Sequence, residues 1–231
     1  MSGGTGPAAV IFDLDGVLVD SEIWWDEARR DWAAARGRTW TADDRAAVMG
    51  ANSAAWARVM RERLRIDDAD GAGAASIVAD IVGAVVRRYA AEGPPVIDGA
   101  VDAARRIAAR YPTGVASSAH RAVIDAALRA TGLEDSFAVV VSSDEVAHGK
   151  PAPDVYLEAA RRLGVEPAAC LVVEDSLNGV RAARAAGMIV VLVPNAAVPP
   201  ASGAAAEADL VLGRLADLEP ASVTLPGSSR R

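Results

Sequence analysis

Two aspartates one residue apart, Asp13 and Asp15, follow directly on the apolar run Ala8-Ala9-Val10-Ile11-Phe12. Carboxylates at that spacing on one turn can divide labour, one attacking or holding a cation while the other carries a proton. The same setting recurs twice, with Ser117 and Ser118 after residues 113–116 and Glu174 and Asp175 after residues 170–173. Two adjacent acids behind a Val-rich buried strand repel each other unless a cation lies between them, so a metal is the simpler account of that pair. Lys150, the only lysine of the chain, stands in Val146-Ala147-His148-Gly149-Lys150-Pro151. Taken singly, each has an ordinary use: acids cap helices, serine makes turns, and a lysine is most often a solvated surface charge. Together they describe carboxylates, a hydroxyl and one cation converging on a point.

Convergence requires the apolar runs to be neighbouring strands. Residues 8–12 read as a buried parallel strand, being continuously apolar and ending in an acidic turn. From Glu22 to about Tyr89 the pattern is Ala- and Arg-rich and helical, with helices expected near 22–36, 42–49, 53–64 and 75–91 and a polar loop over 67–73. After Gly93-Pro94-Pro95 a βαβ rhythm takes over. Its helices are expected at 100–109, 121–131, 153–163 and 177–186, and its strands at 113–116, 138–142, 170–173, 189–193 and, at an edge, 209–212. This predicts an α/β fold: a doubly wound, Rossmann-like parallel sheet, residues 1–20 and 94–231, with an inserted helical bundle, residues 21–93. Open sheets of this kind place their sites at the carboxyl ends of the strands, where the polar residues above fall. The Gly-rich start and residues 220–231 carry little apolar content and are expected to be mobile.

Composition narrows the partners. The 231 residues are 52% hydrophobic and 24% charged with a net charge of −7, which suits a sizeable core and excludes global disorder. No dense Lys/Arg run offers a footprint for a nucleic acid or an anionic membrane, so neither is expected as a partner. The single cysteine, Cys170, cannot make an intrachain disulfide or a thiolate zinc cluster and reads as a buried small hydrophobe. The start lacks the basic and apolar segments of a signal peptide, and a cytoplasmic monomer or homodimer is the default expectation.

Four stretches, in order, carry a family resemblance. Asp13-Leu14-Asp15-Gly16-Val17-Leu18-Val19-Asp20-Ser21-Glu22 resembles the signature of the haloacid dehalogenase-like superfamily, in its phosphatase and β-phosphoglucomutase-like branch with a helical cap. Ala116-Ser117-Ser118 resembles the second motif, Gly149-Lys150-Pro151-Ala152-Pro153-Asp154 the third, and Val173-Glu174-Asp175-Ser176-Leu177-Asn178-Gly179 the fourth. A lone Asp-x-Asp is weak; four motifs in order, each at a strand end, are a strong signal.

The resemblance implies phosphoester chemistry on a small phosphorylated metabolite. Asp13 would attack phosphorus to give an aspartyl-phosphate, and Asp15 would protonate the leaving oxygen and later accept a proton from water. Mg²⁺ is implied, held by Asp13, the Asp15 carbonyl and Asp175, with Glu174 as a further ligand directly or through water. Ser117 would bond the transferring phosphoryl group, Lys150 would offset its charge and Ser118 would contact substrate, while His120 and Arg121 either contact substrate or start a helix and face water. Uncatalysed phosphomonoester hydrolysis is slow enough to leave room for enhancements approaching ~10²¹, so charge must be neutralised first.

Departures from the relatives narrow the activity. Asp15 disfavours the family's dehalogenases, which need no acid there, and an insertion without lysine disfavours phosphonate cleavage through an imine. Sugar-phosphate mutases tend to carry a His where this chain has Trp25 and a cap Arg after a Gly, where Gly50 is followed by Ala51, Asn52 and Ser53. With no assured guanidinium in the insertion for a second phosphate, the expectation is a Mg²⁺-dependent phosphatase acting on a small phosphorylated metabolite, a sugar phosphate or similar ester. The alternatives are a mutase and, less favoured because neither nucleophile nor metal acid is lost, a non-catalytic phosphometabolite-binding module. Trp24, Trp25, Trp32, Trp40 and Trp56 are expected to form the bundle's core, with Trp25 near the cleft; Arg58, Arg61, Arg63 and Arg65 read as an exposed face, and His148 has no assigned role.

Overall fold

The run leading into Asp13 forms strand β1, Ala9–Phe12, with all four residues buried. Val10 and Phe12 point into one core layer and Ala9 and Ile11 into another, which is why the strand is apolar at every position. This computed structural model describes residues 6–67, 73–196 and 198–223. Most of the polar loop expected over 67–73, the first five residues and residues 224–231 lie outside the described residues.

Strands β2, Thr113–Ser117, β3, Val139–Ser142, β4, Cys170–Glu174, β5, Ile189–Leu192, and β6, Leu210–Val211, join β1 in one parallel sheet ordered β3-β2-β1-β4-β5-β6. Four helices, α1 (Glu22–Ala34), α2 (Ala42–Val48), α3 (Ser53–Leu64) and α4 (Ala74–Glu92), lie in sequence between β1 and β2. Helices α5 (Ala100–Ala108), α6 (Arg121–Thr131), α7 (Asp154–Leu163) and α8 (Leu177–Ala185) alternate with the strands. Ile107, Val123 and Ile124 of α5 and α6 share one buried layer with Phe12 and Val173, and Val155, Tyr156 and Val180 of α7 and α8 share the other with Ile11 and Val172. Helices on both faces make the sheet doubly wound, and its strand order reverses across β1 and β4.

The chain leaves and re-enters the sheet through two segments that run side by side. Asp20 N donates to Pro95 O at 2.8 Å, Ile97 N donates to Leu18 O at 3.2 Å, and Val19 and Val96 form an antiparallel bridge. All five tryptophans of the insertion are buried, as their spacing predicts. Trp24 packs edge-on against Tyr89 of α4 at 5.0 Å, and Trp32 donates its indole N–H to Asp80 at 3.0 Å, so α1 and α4 are joined by packing and hydrogen bonding together. Helix starts are fixed locally: Thr41 and Asp44 form a reciprocal capping box on α2, and Asn52 caps α3.

Two differences from the sequence reading matter for the site. β2 and β4 run one residue further than their apolar stretches, so Ser117 and Glu174 are strand residues held by the ladder. A short helix α9, Ala204–Glu207, lies in an Ala-rich stretch with no periodic signal and is tied to α8 by Arg181 and Glu207, 2.8 Å apart.

Candidate active site

The carboxyl ends of β1, β2 and β4 bring Asp13, Ser117 and Glu174 to one rim of the sheet. Asp13, Asp15, Ser117, Ser118, Lys150 and Asp175 line a single cleft, closed from above by the helical insertion. The enclosed space of the cleft is about 110 Å³, small beside the ~300–1,000 Å³ usual for small-molecule sites, and it opens to solvent.

Lys150 is the hub. Its Nζ donates to Asp13 Oδ1 at 2.7 Å, to Glu174 Oε1 at 2.6 Å and to the Ala116 carbonyl at 3.1 Å, and the side chain is buried. The peptide between Lys150 and Pro151 is cis. Burial opposes the ammonium charge, yet Asp13 and Glu174 outweigh it and hold the lysine well above its ordinary value.

Glu174 is committed through both oxygens. Oε1 also accepts from Tyr156 Oη at 2.7 Å, while Oε2 accepts from the amides of Asp175 and Ser176 and from Ser176 Oγ, each at 3.0 Å. Burial pushes its carboxyl up, but Lys150 and these hydrogen bonds bring it below the ordinary range. Its first task is therefore to anchor Lys150 and the turn that presents Asp175.

Asp13 and Asp15 stand in different surroundings. Burial and Glu174 drive Asp13 up to about 7 against the pull of Lys150. Asp15 is pushed by burial to about 7 against a hydrogen bond from Ser21 Oγ to its Oδ1. Asp175 is driven well above the carboxylate range by burial first and then by Glu174 and Asp13. It lies so close over the turn that a Cβ on Gly16, whose φ is +85°, would meet Asp175 Oδ2 at 1.9 Å. Oxygens of Asp13, Glu174 and Asp175 lie within 4.8 Å of one another. An all-oxygen set of crowded, mutually repelling carboxylates fits a hard dication.

Ser117 is held in place, its Oγ accepting from Ala119 N at 3.0 Å, and Ser142 Oγ braces the same turn by donating to Ala119 O at 2.7 Å. Of the two readings for His120 and Arg121, the geometry favours the helix start, since neither lines the cleft. His120 caps α6, Nδ1 accepting from Ala122 N at 3.2 Å. Arg121 starts that helix facing outward and pairs with Asp125 at 2.8 Å and Glu145 at 3.4 Å.

The expectation that the insertion offers no assured guanidinium is also corrected. Arg29 of α1 is buried and lines the cleft with Trp25, Trp56 and Glu22. Its central carbon lies 5.2 Å from the Trp25 ring centroid and 5.3 Å from that of Trp56. Glu22, Trp25 and Arg29 repeat at helical spacing along one face of α1, a signal present in the sequence but obscured by the charged residues between them. Asn178, in the first turn of α8, also lines the cleft.

Comparison with known proteins bears on this geometry. The sequence pattern of the haloacid dehalogenase-like hydrolases matches residues 7–187. The chain is 36% identical over 200 residues to protein CbbY of Rhodobacter capsulatus, spanning 81% of this chain and 85% of that one. It is 33% identical over 186 residues to fructose-1-phosphate phosphatase YqaB of Escherichia coli, spanning 78% and 93%. The crystal structure of CbbY from Rhodobacter sphaeroides in complex with phosphate superposes with a TM-score of 0.76 at 28% identity, covering 92% of this chain and 96% of that one.

Proposed function

Because the chain belongs to the haloacid dehalogenase-like hydrolases and is a phosphoric monoester hydrolase, we propose that it is a Mg²⁺-dependent phosphatase of a small phosphorylated metabolite, a sugar phosphate or similar ester, working through an aspartyl-phosphate. The observation that carries this reading is the unequal treatment of two carboxylates in one cleft: Asp13 is paired with Lys150, and Asp15 is held by Ser21 away from it. The two carboxyls differ in their partners, which assigns them different roles: the ammonium orients Asp13 for attack, and a hydroxyl holds Asp15.

Asp13 attacks phosphorus, its oxygen forming the new O–P bond as the ester O–P bond breaks. Asp15, whose carboxyl burial raises to about 7, is available as both acid and carboxylate near neutral pH, and its acid form delivers a proton to the departing oxygen. In the second half Asp15 takes a proton from water as that water displaces Asp13 from phosphorus, releasing phosphate. Lys150 and Ser117 face the phosphoryl oxygens, and Lys150 also orients Asp13. Asp13 and Asp175, with the Asp15 carbonyl, would hold Mg²⁺, which when bound supplies charge neutralisation to the phosphoryl group. Residues 21–93 act as a cap that excludes water, moving about the paired segments near 18–20 and 95–97.

A mutase reading draws on Arg29, since a mutase must hold a second phosphate. Trp25 lines the cleft where the mutases compared above tend to place an imidazole, which favours hydrolysis.

Phosphate release from a panel of phosphorylated metabolites, with Mg²⁺ and with EDTA, tests the proposal on wild type and Asp13→Asn. Release that depends on metal and is lost in Asp13→Asn is expected. Equal release by the variant, or isomerisation of glucose 1-phosphate faster than its hydrolysis, overturns it.

A further inference from the structure

Arg29 has a charge that the reaction chemistry above does not use. It is more than nine-tenths buried, and its Nε has no hydrogen-bond partner among the described residues. The acids nearest in charge are otherwise engaged: Asp26 Oδ1 accepts from Trp40 at 2.9 Å and Oδ2 from Arg30 at 2.5 Å, and Asp15 accepts from Ser21. Glu22 attracts the guanidinium through space without an ion pair closing between them. Burial lowers Arg29 to about 10, so it keeps its charge at neutral pH.

Leaving a buried donor unsatisfied is costly, and a structure keeps one where a ligand completes it. The surroundings are built for that. Trp25 and Trp56 flank the guanidinium with their rings, which lie at 67° to each other, and fix its orientation, while Val48, Met49 and Ala51 line the same cleft and Glu22 is the one acid of the insertion that lines it with Arg29. A planar fork held between two indoles at the cleft, with a donor left over, is a receptor for a phosphate or carboxylate. The phosphoryl group being transferred belongs to the opposite wall, with Lys150, Ser117 and the metal acids.

We propose that Arg29 is a specificity-determining residue that binds a second anionic group on the leaving group, so that the preferred substrate is a phosphomonoester carrying a further phosphate or carboxylate. The inference rests on the phosphatase reading and adds the class of ester to it.

The test compares kcat/KM within matched pairs: glucose 1,6-bisphosphate against glucose 6-phosphate for a second phosphate, and 3-phosphoglycerate against glycerol 3-phosphate for a carboxylate. Wild type is expected to prefer the doubly anionic member of at least one pair by tenfold or more. That preference is expected to fall at least tenfold in Arg29→Met, which keeps an unbranched stem between the indoles. Arg29→Lys, with the charge but no fork, is expected to fall by threefold or more and carries the comparison if the Met variant does not fold. A wild type with no preference, or a preference unchanged in the variants, overturns the inference while hydrolysis itself still supports the phosphatase. If no pair is hydrolysed the phosphatase reading fails, and calorimetric binding of the same pairs decides the subsite. Tighter binding of the doubly anionic member, lost in Arg29→Met, supports it; equal binding overturns it.

Discussion

Lys150 and Glu174 form a buried ion pair, Nζ 2.6 Å from Oε1, and through it Asp13, the proposed nucleophile, is tied to the end of β4. Removing the ammonium leaves two acids facing each other in a site with little access to water. Lys150→Met is therefore expected to cost ~3–5 kcal/mol of stability, the usual penalty for orphaning a buried charge, and to lower kcat by ~10²–10³. Adding Glu174→Gln to it removes the orphan, so the double variant should recover part of the stability but none of the turnover. Urea unfolding and steady-state kinetics on the two single variants and the double variant check both statements. Additive stability losses would show that the pair does not act as a unit.

Gly179 is where the helix after β4 must let the Glu174 carboxylate pass. A Cβ there would lie 1.7 Å from Oε1 and 2.3 Å from Oε2. That carboxylate cannot retreat cheaply, because Lys150, Tyr156 and the Ser176 turn already hold it. Gly179→Ala, which would favour a solvent-exposed helix by ~1 kcal/mol, is expected here to destabilise the protein and to reduce kcat by moving Lys150. Thermal melting with kinetics on the folded variant measures it. A raised melting temperature with unchanged turnover would overturn the assignment of Glu174 as the anchor of Lys150.

What the sequence makes legible here has a physical reason. A parallel strand buried on both faces is apolar without a break, so the first polar residue after it marks the rim of the sheet; Asp13 and Glu174, with Asp175 beside it, stand out that way. Lys150 stood out as the chain's single lysine. The partners of Glu174 did not, because Tyr156 and Lys150 are brought to it only by the packing of α7 and its loop on the sheet. Glu174 consequently reads in sequence as a metal donor and in structure as an anchor as well. Arg121 illustrates what sequence leaves open: adjacency to the second motif allows substrate contact or a helix start, and the first residue of α6 turns outward to Asp125 and Glu145. Arg29 lies among charges on α1, and only the packing of Trp56 against Trp25 shows that its face is the inner one.

Asp144 reaches from the turn after β3 to the helical insertion, its Oδ1 accepting from Ser53 N at 2.8 Å. Ser53 is the first residue of α3, so an acid from the sheet completes the cap that Asn52 begins, where a helix start favours negative charge. This contact holds the insertion down over the cleft. Asp144→Ala is expected to weaken closure by ~1 kcal/mol, raising KM about fivefold, with little change in melting temperature. A fall in kcat with KM unchanged would place Asp144 in the chemistry instead.

Asp44 gives the insertion an acid limit. Burial pushes its carboxyl up, but hydrogen bonds from Arg63 at 2.5 Å and from Thr41 outweigh this and hold it below the ordinary range. The folded state thus binds the proton less readily than the unfolded chain. Its stabilisation is complete above the unfolded value of ~3.9 and is lost as pH falls through the lower folded value. Arg63 is 41% exposed, so water screens the ion pair and the helix-capping contribution of ~1 kcal/mol sets the scale. Asn at this position keeps an oxygen for Thr41 but loses the charge. Asp44→Asn should therefore be less stable than wild type at pH 7 by ~1 kcal/mol, and the gap should shrink as pH falls below ~3.9, closing only where the folded carboxyl is itself protonated. Urea unfolding of both proteins between pH 7 and pH 3 measures the gap, and a gap that stays constant or widens on acidification would show that the charge of Asp44 is not what holds α2 and α3 together.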